Sequence, residues 1–122
     1  MAAVSIAFDA PDNSGGAAPM VSRPIDLDHL ARQTMGDKAL EIEVLQLFAR
    51  STRHLLHELA VSDADGVKAL AHRLKGAADA IGAVRVSAAA ATLENDGRDS
   101  AAIARVSVAV VEAENFILKL CR

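Results

Sequence analysis

From residue 26 almost to the end of the chain, apolar residues recur every three to four positions, and capping residues and glycines cut this pattern into successive helical stretches. Asp26 can cap a short helix through Leu30 and Thr34, which Gly36 closes. Asp37 then opens a long helix to about Ala60, on which Val44, Leu45, Phe48, Leu55, Leu56 and Leu59 share one face. Ser62 or Asp63 starts a third helix that Gly82 interrupts after Ile81. An alanine-rich fourth helix covers roughly Val84 to Asp96, with Gly97 as its stop. A fifth begins at Asp99 or Ser100, with Ile103, Val106, Val110, Ala113, Phe116, Ile117 and Leu120 on one stripe. Long amphipathic helices with short joints predict an all-α fold, an antiparallel four-helix bundle with a short additional N-terminal helix. No stretch alternates long enough to require a sheet, and no repeat has a fixed period.

Residues 1–24 do not share the pattern. They mix Gly, Ala, Ser and Asn with Pro11, Pro19 and Pro24, which predicts a flexible N-terminal arm ahead of a bundle at 25–122. The apolar piece VSIAF at 4–8 could lie against the domain, but a mobile terminus is the simpler expectation.

Composition sharpens this picture in three ways. With 122 residues, three Phe and no Trp or Tyr, the chain has room for one domain whose core is built from small aliphatic side chains, which suits close helix packing. A net charge of -3 with mixed signs argues against a sequence-independent nucleic-acid binder, which needs a basic surface. The single cysteine, Cys121, excludes an intramolecular disulfide and a multi-cysteine metal cage. No segment approaches the roughly 20 apolar residues of a membrane span, and no basic leader precedes an apolar run, so a soluble, cytoplasmic protein is expected. A monomer is the expected oligomeric state.

The chemistry concentrates in AHRLKGAADAIGA at 71–83. At about 100° per residue, Val67, Leu70, Ala71, Leu74, Ala78 and Ile81 fall on one sector and make the core stripe. His72, Gly76 and Asp79 fall roughly opposite it, with Lys68 and Lys75 along one flank. His72 is therefore expected to face outward. Gly76 lies four residues on and on the same face, at a cost of roughly 1 kcal/mol relative to alanine. A merely solvated face would carry Ala, Glu or Lys more cheaply, so the gap reads as clearance for a partner. An exposed imidazole can be a nucleophile, a general base or a metal ligand. Lys75, with Lys68 and Arg73 at the edges, would offset a phosphoryl group and oppose a metal cation. General-base catalysis would need a pocket that a convex helix does not offer. Phosphoryl carriage fits best.

The same stretch resembles the signature of histidine-containing phosphotransfer domains, the relay modules of two-component phosphorelays. The matching residues are His72, then Leu74, Lys75 and Gly76, then Gly82 and Ala83 at the helix end, with LEIEVLQLF and ATLE in the flanking helices. The likeness covers about residues 26–122 and leaves out the arm. It implies a four-helix bundle in which His72 accepts a phosphoryl group from a receiver-domain aspartyl phosphate and passes it to another receiver. Lys75 would stabilise phosphate charge, Gly76 would give clearance, and Lys68, Arg73 and Asp79 would border the docking surface. Response-regulator receivers, and a hybrid histidine kinase, are the implied partners. No intrinsic cofactor is implied, and Mg²⁺ is expected on the receiver. Ala77 stands where family members often have Ser, which removes one hydrogen-bonding group.

Other readings are weaker. The chain has no phosphate-binding glycine loop, so autonomous kinase activity is not expected. A helical interaction module without phosphate chemistry is the main alternative, and the phosphotransfer domain excised from a larger kinase is another. His54 and His57, with Glu58 nearby, have metal-ligand spacing but too few ligands, and read as a solvated face. His29 likewise reads as a surface residue, and Cys121 as an inert thiol among Leu118 and Leu120.

Overall fold

The computed structural model describes residues 23–97 and 99–121. It contains five helices, α1 (Leu27–Gln33), α2 (Lys38–Val61), α3 (Ala64–Ile81), α4 (Val84–Asp96) and α5 (Ser100–Leu120). Residues 1–22 of the expected arm, including VSIAF, lie outside the described residues. Arg23 and Pro24 lead into Ile25, which is completely buried.

Helix starts follow the caps. The Asp26 carboxylate accepts the His29 N–H at 3.1 Å, Asp37 accepts that of Leu40 at 3.1 Å, and Asp63 accepts that of Gly66 at 2.8 Å. Each satisfies one of the orphan donors of a first turn, for roughly 1 kcal/mol. The last two helices begin without a side-chain cap, at Ala83 and Asp99.

Packing sets the architecture. α2 packs on α3, α3 on α4, α4 on α5, and α5 back on α2, so the four long helices close a ring with α3 and α5 on its diagonal. The α3–α4 interface is the most extensive, and α1 packs on α3. Small side chains explain the first of these facts, since Ala71, Ala78 and Ala90 are fully buried and let helix axes approach. The whole α3 stripe, Val67, Leu70, Ala71, Leu74, Ala78 and Ile81, is buried as the periodicity requires. Each large aliphatic residue in it contributes roughly 1.5–3 kcal/mol of burial. In α2, Leu45, Phe48, Leu55 and Leu59 are buried, with Val44 and Leu56 packed at the margin.

Three expectations need correction. Leu120, placed on the α5 core stripe by its spacing, is 45 % exposed at the last residue of the helix, at the mouth of a groove it shares with Leu27 and Leu45. His29 is not simply a surface residue, since its Nε2 is enclosed and has no hydrogen-bond partner among the described residues. Its backbone sits where α1 docks on the end of α3, and its Cβ lies 3.3 Å from where a Cβ on Gly82 would be. The inner face of α2 is also less apolar than the pattern suggested. Thr52 is buried with its hydroxyl donating to the Phe48 carbonyl at 2.9 Å, and Glu41 is buried near Thr34 Oγ1, at 3.4 Å, and Lys38 Nζ, at 3.5 Å.

On the surface between α2 and α5, Arg53 grips Glu114 with two donors, Nη2 to Oε1 at 2.6 Å and Nε to Oε2 at 3.0 Å. These hydrogen bonds, and then the charge attraction, raise the Arg53 pKa above its ordinary value.

Candidate functional site

The site is built on α3 because that helix is fixed at both ends and along one face. Asp63 holds its first turn. At its last turn Gly82 adopts φ 80°, and its N–H and that of Ala83 turn back to the carbonyls of Asp79 and Ala78. The Gly82 carbonyl in turn accepts the Asp26 N–H at 2.7 Å. A Cβ at Gly82 would meet the Asp26 carbonyl oxygen at 2.9 Å, so both the left-handed backbone and the close approach require glycine. Ala83 is completely buried beside it.

With the core stripe anchored, His72 is directed outward, its side chain 74 % exposed. Its Nδ1 lies 3.0 Å from Oε2 of Glu94, which α4 presents at 26 % exposure from across the seam. An ionised carboxylate only accepts, so in the neutral ring this bond places the hydrogen on Nδ1 and the lone pair on Nε2. Among the described residues Nε2 has no partner. One helical turn on, a Cβ at Gly76 would meet nothing within 4 Å, so no packing inside the domain calls for that glycine.

The remaining residues singled out in the sequence divide. Lys68 and Arg73 are exposed and Lys75 is half-buried, and none of the three makes a hydrogen bond or ion pair among the described residues. Asp79 is exposed, but its carboxylate accepts a hydrogen bond from the Ser87 hydroxyl, which ties α3 to α4 below the histidine. His72 and its three cations therefore share one face of α3, while the acidic groups nearby are both committed to contacts across the α3–α4 seam. Away from this face, His54 Nε2 lies 3.1 Å from Glu58. Among the described residues no three His, Cys, Asp or Glu side chains come together to hold a metal ion. No described helix is long and apolar enough to cross a membrane.

A family model, described as Hpt domain, matches residues 43–115, which is more than half of the chain and includes all of α3 and α4. The chain belongs to the Hpt domain family. Histidine phosphotransfer in a phosphorelay is accordingly its class of activity. No curated protein and no solved structure matches the chain. The all-helical architecture accords with the Hpt fold.

Glu94 is the member of this Hpt site that sequence reasoning missed. It belongs to the ATLE segment and follows an alanine run, but its place against His72 depends on the register between two helices, which no single-helix wheel contains.

Proposed function

We propose that the chain is a phosphorelay intermediate in which Nε2 of His72 takes a phosphoryl group from the aspartyl phosphate of one receiver domain and delivers it to another. The observation that carries this reading is an outward imidazole whose Nδ1 is occupied by Glu94 and whose Nε2 is unpartnered. In the forward step the Nε2 lone pair attacks phosphorus, the N–P bond forms, and the P–O bond to the receiver's aspartate breaks, its electrons leaving on the carboxylate. The ring becomes cationic as it is phosphorylated, with its proton still on Nδ1, and Glu94 opposes that charge. Return of the electrons to Nε2 as the next receiver's carboxylate attacks restores the starting state.

Phosphoryl transfer of this kind depends on alignment and charge stabilisation more than on covalent work by the protein. Lys75, and at the margins Lys68 and Arg73, would favour the incoming phosphoryl oxygens. Gly76 would let the receiver's surface approach the ring, and Mg²⁺ would reside in the receiver's acidic pocket. Asp79 now reads as a brace through Ser87 as well as an edge of the docking surface. The cyclic packing of the four long helices supports reading the fold as an antiparallel four-helix bundle with α1 clasped across one end.

The test is label uptake from a phosphorylated receiver domain, read as an acid-labile, base-stable adduct. The chain should take up label and His72→Gln should take up none while keeping its helical circular dichroism. Absence of uptake from every receiver tried, or uptake by the His72→Gln variant, would overturn the assignment.

A further inference from the structure

The outer side of α5 is not used by the bundle. Ala101, Ala104, Val108, Val111, Asn115 and Leu118 are all exposed, Val108 at 59 %, Val111 at 47 % and Leu118 at 60 %. Isolated exposed apolar residues need no explanation. These six, however, are spaced alternately three and four residues apart along the whole helix, which is the register of a coiled-coil seam. Ala101, Val108 and Asn115 take the a positions, and Ala104, Val111 and Leu118 the d positions. Along one flank, at the e positions, stand Arg105, Glu112 and Lys119. Beside the seam a groove of about 360 Å³ runs between α4 and α5, floored by Ala89, Ala104 and Val108.

We propose that this face is an interface between two copies of the chain, packed antiparallel through α5 about a two-fold axis between Val108 and Val111. In that arrangement each a residue opposes a d residue of the second copy. Val108 meets Val111 at the centre, and toward the ends Leu118 meets Ala101 and Asn115 meets Ala104, so there the larger side chains oppose alanines. Arg105 then falls beside Glu112 of the second copy, and symmetry makes the same pair twice, as a self-complementary interface requires. A parallel pairing would stack alanine on alanine in the first two of the six layers and set Arg105 and Glu112 opposite serines, Ser100 and Ser107. The intramolecular contact of Glu112, to Arg85 at 3.5 Å, is a long, exposed ion pair that competes little.

The proposed dimer departs from the monomer expected at the outset, and it leaves the phosphotransfer face open, because α5 lies across the ring from α3. A three-heptad seam is at the low end of specific interfaces, on the order of 1,000 Å² in total, so association should depend on concentration.

Sedimentation velocity of the full chain from roughly 10 µM to 1 mM tests this. The weight-average mass should rise toward twice the monomer, and Val111→Glu should stay monomeric with its helix content intact. Arg105→Glu alone and Glu112→Arg alone should each weaken association about tenfold, a loss of about 1.4 kcal/mol, and the double variant should restore it. A chain that stays monomeric throughout, an association indifferent to Val111→Glu, or a double charge swap that restores nothing would each overturn the proposal.

Discussion

Two glycines six residues apart on one helix have opposite reasons to be glycine. Gly82 ends α3 in a left-handed turn, pressed against the backbone of Asp26, and a side chain there has no room. Gly76 sits mid-helix with normal backbone and open space where its side chain would be. A motif read as a single functional signature is therefore two things. Its C-terminal end is scaffold, holding α1 on α3, and its middle is a surface that no packing among the described residues requires to be glycine, which is where the proposed clearance for a receiver enters.

The comparison can be broken most forcefully at the scaffold end. Gly82→Val should lower stability by about 2–4 kcal/mol, since it adds a β-branched residue to a left-handed backbone and a clash with the Asp26 carbonyl. Urea unfolding checks this, and a loss below about 1 kcal/mol would mean that the turn is not fixed as described.

Gly76→Leu should do the reverse. It should leave stability unchanged or raise it by up to about 1 kcal/mol through better helix propensity, yet slow phosphoryl uptake from a receiver at least about tenfold. Equal uptake rates for the two proteins would remove the clearance argument. Gly76→Ala, with only one added carbon, should fall between them in rate.

A smaller effect sharpens what lies between the two glycines. Glu94→Ala should slow uptake about three- to tenfold, or about 0.6–1.4 kcal/mol of transition-state stabilisation, with little change in stability. The discriminating readout is the ring tautomer of His72, followed by ¹⁵N NMR. The hydrogen should favour Nδ1 in the parent chain and redistribute toward Nε2 in the variant, a change that a purely structural contact would not produce.

The helix limits and the face of α3 were legible in the sequence because both are local. Asp26, Asp37 and Asp63 precede their helices in the chain and bond within three residues, and Gly82 and Gly97 stop helices through their own backbone. The periodicity of α3 is likewise a property of one helix, and its six stripe residues are all buried. What escaped depends on contacts between helices. The His72–Glu94 pair spans 22 residues and the Arg53–Glu114 pair 61. Glu41 and Thr52 were not among the residues the apolar pattern placed on the inner face of α2, because side-chain type dominates such a pattern, whereas Thr52 is buried with its hydroxyl bonded to its own helix. Leu120 fails for the opposite reason, since periodicity gives the side of the helix a residue lies on and not how deeply its neighbours cover it at the last turn. The α5 heptads were hidden behind the stronger inner stripe of the same helix.

The bond from Asp26 N–H to the Gly82 carbonyl bears on how the domain opens. It joins segments far apart in the chain, so forming it carries the entropy of closing a long loop, and α1, which packs on α3, is short and has few apolar contacts to return for that cost. Amide hydrogens of α1 should therefore exchange through a local detachment, while those along the buried stripe of α3 wait for global unfolding. The helix that carries His72 should then keep its shape while its clasp comes and goes.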